Sequence, residues 1–360
     1  MTLGTDRSDL PIGSTSLPVY LRFLIDQISN ETGHLGRRVD FALPGLKLSV
    51  HAFEGTLIDA FEDNLVNWPT AYPMPSARKL SVYLAHARLP DMPRAVPFAL
   101  SPGETSPFEG ALTRFGLHGL HDPESGAWYA YDPKRSIGIQ LLRGPDVYPP
   151  WEVGSPFRLF LHWHYSEQNQ RVTHAGTLGK NGRGALLLGA GGSGKSGTVI
   201  SGILHGLESV GDDYVLLDPR SPTTAYPLFL AMRQDLAGFE RLDLDRFIPR
   251  DRPLNWQGKI QFSLDELGGR SLVKAMEIES LLVPHRGDYS RTSIRPTSAS
   301  EGLRALALSS LAQLSGEKET GFRFFAEIAR KLPSYSLSLG SDPTEIADRV
   351  SRFLEDGRTD

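Results

Sequence analysis

Eight consecutive residues, Gly189-Ala190-Gly191-Gly192-Ser193-Gly194-Lys195-Ser196, fit the pattern of a glycine, four residues and then Gly-Lys-Ser. These residue types answer one physical demand. A polyphosphate carries several negative charges that must leave water. Glycines let the backbone curl so that successive N–H groups point inward, where a Cβ would block the approach. A helix that follows turns its N-terminal N–H groups and its dipole on the phosphates. In this frame Gly189, Gly191, Gly192, Ser193, Gly194 and the adjoining Gly197 build the cradle. Lys195 reaches the β- and γ-phosphates, and the Ser196 hydroxyl ligates Mg2+.

Two carboxylates stand where such a site would use them. Asp212 and Asp213 lie 17 and 18 residues after Lys195, at the mouth of a predicted strand. One would hold the metal, directly or through water, and the other would accept the proton of an attacking hydroxyl. The competing reading is a solvated acidic turn. His174 lies 15 residues before Gly189. Such a histidine contacts a phosphate, orients the base, or is a structural hydrogen-bonder.

The elements around these residues must supply a buried strand before the loop and a helix after it. Ala185–Leu188 is a short apolar run ending in glycines and predicts the strand. Val199, Ile200, Ile203, Leu204 and Leu207 recur at helical spacing between Gly194 and Glu208. Tyr214–Leu217 predicts a second strand and residues 156–165 an amphipathic helix. Further on, Ser298 and Glu301 have capping-box spacing ahead of a helix through Leu314. Phe325, Ile328, Ala329 and Leu332 mark another helix, stopped by Pro333. Tyr335, Leu337 and Leu339 alternate as a strand, and Asp342-Pro343 opens a last helix. Strands and helices interleave, which predicts an α/β sheet domain.

The first half reads as mostly β. Leu46, Leu48, Val50 and Ala52 alternate with polar residues, Leu80, Val82 and Leu84 lie in a second strand, and 128–131 and 137–142 flank a turn at Asp132–Arg135. Residues 57–65 predict a short helix. Pro145, Pro149 and Pro150 mark a boundary. The expected organisation is a flexible tail over 1–18, a β-rich domain over 19–150 and an α/β domain over 151–360.

Composition narrows the classes. The chain has 360 residues, no cysteine and a formal net charge of -4. Disulfide scaffolds, thiolate metal sites and cysteine nucleophiles are excluded. Nearly balanced charge gives no electrostatic reason to expect nucleic acid as a partner. No apolar run approaches the ~18 residues that span a bilayer. Residues 1–18 carry neither a basic n-region nor an apolar h-region, so no signal peptide is read. A cytoplasmic protein without a membrane partner is expected.

Three segments together, Thr173-His174-Ala175-Gly176, the loop at 189–196, and Gly211-Asp212-Asp213-Tyr214-Val215-Leu216-Leu217, resemble the catalytic domain of the HPr serine kinases. The likeness is closer to HPr-kinase-related proteins, including the kinases of lasso-peptide gene clusters. The resemblance implies a P-loop kinase domain of the HPr kinase and phosphoenolpyruvate carboxykinase type, preceded by a β-rich α+β domain. It implies ATP and Mg2+, and transfer of the γ-phosphoryl group to a serine-type hydroxyl of a peptide or protein. Asp212 matches the catalytic acid–base position. His174 and Lys195 match residues of the catalytic centre, and Ser196 and Asp213 would lie near the metal. HPr kinases are oligomeric, but that does not carry over by resemblance to a partial match, and a homo-oligomer stays open among the partners.

The chain departs from the family in places. Gly197 stands where many relatives carry a hydroxyl or a larger residue, and the C-terminal signature of the bifunctional kinase/phosphorylases is not found. Arg286, Arg291 and Arg295 are candidates for additional positive charge, in a Gly/Ser/Thr-rich stretch read as a lid or an exposed loop. Rival readings are a kinase of a small hydroxylated metabolite, a P-loop ATPase or GTPase without an acceptor, and a scaffold with a vestigial loop. Leu314-Ser315-Gly316-Glu317-Lys318 has the look of an ABC signature, but no strand ending in Asp-Glu follows. It reads as a helix end capped by Gly316.

Overall fold

The computed structural model describes residues 16–30, 36–53, 56–59, 61–68, 78–86, 112, 114–145, 147–268, 271–314 and 318–360. Residues 1–15, within the expected tail, and 315–317, with the expected Gly316 cap, lie outside the described residues. The chain divides into two compact units. One lies within residues 1–41, 45–60 and 74–149, and the other takes 42–44, 61–73 and 150–360.

In the first unit, Tyr20, Leu21, Leu24, Ile25 and Ile28 recur at helical spacing. They form the buried face of α1 (Ser16–Asn30), which begins inside the stretch expected to be a tail. β1 (Arg37–Leu43), β2 (Leu46–Ala52), β3 (Arg78–His86), β4 (His118–His121), β5 (Trp128–Asp132) and β6 (Ile137–Leu142) make one sheet in the order β1-β2-β3-β6-β5-β4. The alternating residues of β2 and β3 pair in parallel register, Leu48 with Leu80 and Val50 with Val82. β5 and β6 form the expected antiparallel pair. The Asp132 carboxylate accepts from the N–H groups of Lys134 and Arg135 at 3.0 and 3.3 Å and so closes the turn.

The helix expected over 57–65 is two pieces, α2 (Thr56–Asp59) and a 3-10 turn at Glu62–Asn64. Beyond that turn the backbone is drawn out straight. Leu65 bridges to Phe229, and the Val66 N–H donates to the Leu228 carbonyl at 3.1 Å. Those pairings place this stretch in the second unit and leave no room for a continuous helix.

The second unit holds α3 (Arg158–Ser166), β7 (Arg171–Thr173), β8 (Gly176–Lys180), β9 (Arg183–Leu187), α4 (Lys195–Leu204), β10 (Val215–Asp218), β11 (Thr224–Pro227), β12 (Ala231–Gln234) and α5 (Leu236–Arg241). β13 (Ile260–Ser263), β14 (Met276–Arg286), β15 (Ser293–Thr297), α6 (Ala299–Gln313), α7 (Lys318–Lys331), β16 (Ser334–Leu339) and α8 (Pro343–Asp356) follow. Its main sheet runs β15-β16-β14-β11-β10-β7, with β9 beside β14 and β8 beside β9. β12 and β13 form a separate two-stranded antiparallel sheet. The architecture is a mixed α/β fold with several sheets.

β9 shows why this sheet is covered on both sides. Successive residues of a strand face opposite ways. Ala185 and Leu187 enter a core with Ile200 and Ile203 of α4, Leu282 of β14 and Val350 of α8. Leu186 and Leu188 enter the other core with Leu281 of β14, Leu306 of α6 and Phe325 and Ile328 of α7. The apolar run read from the sequence is thus a strand buried on two faces.

Caps place the covering helices. The Ser298 hydroxyl accepts from the Glu301 N–H at 3.2 Å, while the Glu301 carboxylate is taken by the Thr297 hydroxyl rather than closing a box. Asp342 accepts from the Thr344 N–H at 2.9 Å and Pro343 opens α8.

Leu282 is wholly buried where β14 meets the loop-bearing strand. Leu282→Ala is expected to destabilise the unit by about 2–5 kcal/mol through lost burial and the cavity left behind. Urea unfolding checks this as a lower midpoint with an unchanged slope.

Candidate active site

The Gly-Lys-Ser loop joins the C-terminal end of β9 to the first turn of α4. Gly189, Gly192 and Gly194 have φ values of 139°, 83° and 104°, a region that favours glycine. Gly194 is also the N-cap residue, and no side chain caps the helix. A Cβ there would stand 2.3 Å from Leu339 Cδ1. The loop therefore leaves the first N–H groups of α4 without side-chain partners, which suits an anion.

Lys195 is only 6% exposed. Its ammonium donates to the carbonyls of Gly189 and Ala190. Burial pushes its pKa down, the negative charge of Asp212 pushes it up, and Lys259 lowers it further. Ser196 follows in the first turn and is half-buried.

The acidic pair precedes β10, and sheet pairing sets its neighbour. β10 lies antiparallel to β7, with Val215 opposite Thr173. The residues just beyond each strand, Asp213 and His174, are thereby brought together. Side chains hold the approach to Asp212: the Val210 N–H donates to Thr177 Oγ1 at 2.9 Å, and the Gly211 N–H to Ser209 Oγ at 3.0 Å. The Tyr214 N–H then closes on the Asp212 carbonyl at 3.0 Å, across Asp213 with φ 72°. This three-residue turn is a strained form, and it splits the two carboxylates.

Asp213 has both oxygens engaged. His174 Nε2 donates to Oδ1 at 3.1 Å, and the Arg233 guanidinium, from β12, pairs with Oδ2. Asp212 is 3% exposed, and its Oδ1 has no hydrogen-bond partner. Its charge acts on Lys195, His174 and Arg233.

His174 is held from the other side by α6. Its Nδ1 meets the Ser309 hydroxyl and lies 3.3 Å from Gln313 Nε2, and its backbone N–H donates to Ser310 Oγ at 3.1 Å. The contacts set a neutral imidazole with the proton on Nε2. Burial holds its pKa down to about 3, helped by the positive charge of Lys195 and opposed by Asp212. Ser309 Oγ also lies 3.2 Å from the Gly189 carbonyl, which ties α6 to the glycine loop.

Lys195, Asp212, Asp213 and His174 are thus gathered at the loop. Gly189, Gly191, Gly192, Ser193, Gly194 and Ser196 lie in the loop and first turn, while Gly197 faces another side of α4. Arg286 ends β14 beside Gly194. Arg291 is exposed; Arg295, expected in a lid or loop, lies on β15 opposite Ser336, and its charge acts on Asp360. Arg233, Ser309, Ser310 and Gln313 complete the cluster and carry no spacing signal in the sequence. Among the described residues no group of three or more His, Asp or Glu is arranged to hold a metal ion. No described helix is long and apolar enough to cross a membrane.

No family model matches the chain, and no curated protein matches it. Among solved structures it is similar to the HPr(Ser) kinase/phosphatase from Coxiella burnetii. The identity is 13%, over 51% of this chain and 95% of that chain, at a TM-score of 0.29.

The neutral histidine has a pH signature. Native His174 stays unprotonated down to about pH 3, while its ordinary value is 6.5. Between these values the unfolded chain binds a proton that the native chain does not. The contribution is therefore complete above 6.5 and is lost as pH falls toward 3. His174→Gln keeps an N–H for Asp213 and removes the titration. It is expected to flatten the fall of urea midpoints between neutral and mildly acidic pH relative to the native chain.

Proposed function

We propose that this protein is a P-loop kinase of the HPr kinase type, transferring the γ-phosphoryl group of ATP to a serine-type hydroxyl of a peptide or protein. The observation that carries the reading is Asp212. It is a buried carboxylate with an unpartnered oxygen, under the charge of Lys195, beside a helix start that no side chain caps. A buried acceptor without a donor is costly unless a partner arrives. A substrate hydroxyl is such a partner. The acceptor class rests on the resemblance of segments 173–176, 189–196 and 211–217 to the HPr-kinase-related proteins.

Phosphoryl transfer asks mainly for alignment and charge stabilisation. The acceptor oxygen forms a bond to the γ-phosphorus as the bond from that phosphorus to the β–γ bridging oxygen breaks. Asp212 takes the hydroxyl proton, and ADP leaves. Lys195 exchanges the carbonyls of Gly189 and Ala190 for phosphate oxygens and draws charge off the bridge. His174 is a positioning residue: neutral, it donates to Asp213 and keeps that carboxylate on Arg233, clear of the acceptor path. Magnesium would be carried by the phosphates and met by the Ser196 hydroxyl, where it would neutralise developing charge; Asp213, the other expected ligand, has both oxygens taken by His174 and Arg233.

Mass spectrometry of serine-containing peptides incubated with Mg-ATP is the direct test, with one added phosphoryl group expected. Asp212→Asn should lower transfer about 10²–10⁴-fold, the usual worth of a general base, and leave ATP binding intact. Lys195→Ala should raise the transfer barrier by a few kcal/mol, on the order expected for losing one charge-stabilising group. Steady phosphate release that no acceptor alters would overturn the kinase reading in favour of an ATPase.

A further inference from the structure

The two-stranded sheet of β12 and β13 has two unlike faces. Met232, Ile260 and Phe262 turn into the core shared with α4. Successive residues of a strand alternate between faces, so Arg233 and its register partner Gln261 stand on the other face. Lys259, two residues before Gln261, belongs to that same face, diagonal to Arg233 at about 7–8 Å across the ladder. From this face Arg233 reaches Asp213. The polar face of the sheet is therefore the one that borders the acidic pair.

Lys259 is an unmatched cation in this place. The other cations have a counter-charge: Arg233 pairs with Asp213, the charge of Asp212 acts on Lys195, and Arg158 and Glu152 act together on Tyr214. Lys259 makes no ion pair among the described residues. Its charge nevertheless reaches Lys195, whose pKa it lowers. Like charges brought within reach of each other are unfavourable, and an arriving anion offsets that.

The backbone under Lys259 is fixed. Asn255 Oδ1 accepts from the N–H groups of Gln257 and Lys259 at 2.9 and 3.0 Å, and the Asn255 N–H donates to the Lys259 carbonyl at 2.8 Å. Gly258 supplies the φ of 70° that this turn needs. Arg233 Nη1 lies 3.5 Å from Gln257 Oε1, which ties the turn to the side of Asp213. On this base stands an ammonium with a flexible four-carbon stem, suited to follow a charge that moves.

We propose that Lys259 is a second catalytic cation, its ammonium meeting an oxygen of the γ-phosphoryl group as that group passes from ATP to the acceptor. This rests on the kinase reading given above and adds a residue to it. The transferring group spreads charge over three equatorial oxygens, while Lys195 is engaged on the bridge to the leaving group. Lys259 donates a hydrogen bond and exchanges no proton. The bonds that form and break are those of the transfer itself. A charge so placed acts most where negative charge develops, in the transition state.

Calorimetry with Mg-ATP and Mg-ADP, together with rates of transfer to serine-containing peptides, tests this on the full chain. Lys259→Met removes the charge and keeps most of the length. It is expected to weaken Mg-ATP about tenfold, leave Mg-ADP unchanged and lower kcat about 10²-fold, the scale of one lost charge-stabilising donor. Lys259→Arg keeps the charge and is expected to recover most of both losses. Mg-ATP affinity and kcat both unchanged in Lys259→Met would overturn the proposal. So would equal losses of Mg-ATP and Mg-ADP, or a Lys259→Arg variant no better than Lys259→Met. Native chain that binds Mg-ATP but releases phosphate only to water would overturn the kinase reading instead, and the contrast between Mg-ATP and Mg-ADP would then decide Lys259 by itself. Native chain that binds neither nucleotide would overturn the phosphate cradle, and this proposal with it.

Discussion

Lys195 is an ammonium taken almost wholly out of water, and the second unit is organised around the groups that make this tolerable. An isolated buried charge is very expensive and persists only when paired and hydrogen-bonded. Here the loop's own carbonyls accept from it, and the charge of Asp212 opposes the effect of burial. Both sets of partners are positioned by other constraints. The carbonyls point inward because three glycines turn the loop through positive φ. Asp212 faces inward because a strained turn at Asp213 sends the neighbouring carboxylate elsewhere. A loop that holds its lysine with its own carbonyls can surrender it to a stronger anion without a large rearrangement.

The same cluster explains the state of His174. Lys195, Arg233 and Arg158 bring positive charge to bear on it, and Asp212 brings negative charge. A proton on His174 would add one more positive charge beside Lys195, with little water to absorb it. Its contacts agree: one ring nitrogen donates to a carboxylate, and the other faces the hydroxyl of Ser309 and the side-chain amide of Gln313. The histidine therefore transmits position rather than charge. Through Ser309 it is linked to the Gly189 carbonyl, so the loop, the acidic pair and α6 form one connected network.

The parts of this arrangement legible in the sequence are those with a period or a local rule. The apolar run before the loop, the helical spacing after it, and the alternation in β2, β3 and β16 follow from strand and helix geometry. The caps at Ser298 and Asp342 are local chemistry. Other parts have no such signal. Arg233 reaches Asp213 from a strand 20 residues on, and nothing in its neighbourhood marks it out from a surface arginine. Ser309 and Ser310 sit inside a helix, where serine has only modest propensity, and their role comes from a contact 135 residues away. β14 carries Pro284, and a proline ordinarily argues against an interior strand. It is nonetheless a central strand, paired with β9 through Leu282 and with β16 through Arg286.

That central strand decides which edge of the sheet the glycine loop occupies. β9, β14 and β16 run parallel, and the ends of parallel strands in open α/β sheets are where crevices form. The chain leaves β9 into the glycine loop, leaves β14 at Arg286, and leaves β16 at Leu339. All three exits meet around Gly194, close enough that a methyl group there would collide with Leu339 and press on Arg286. Gly194 thus answers to three strands at once. It supplies a backbone angle to the loop, an uncapped start to the helix, and clearance to two neighbouring strand ends. A residue with a side chain would have to satisfy the first demand at the cost of the third. The motif's spacing is consequently a property of the whole parallel triplet, and not of the eight residues that display it.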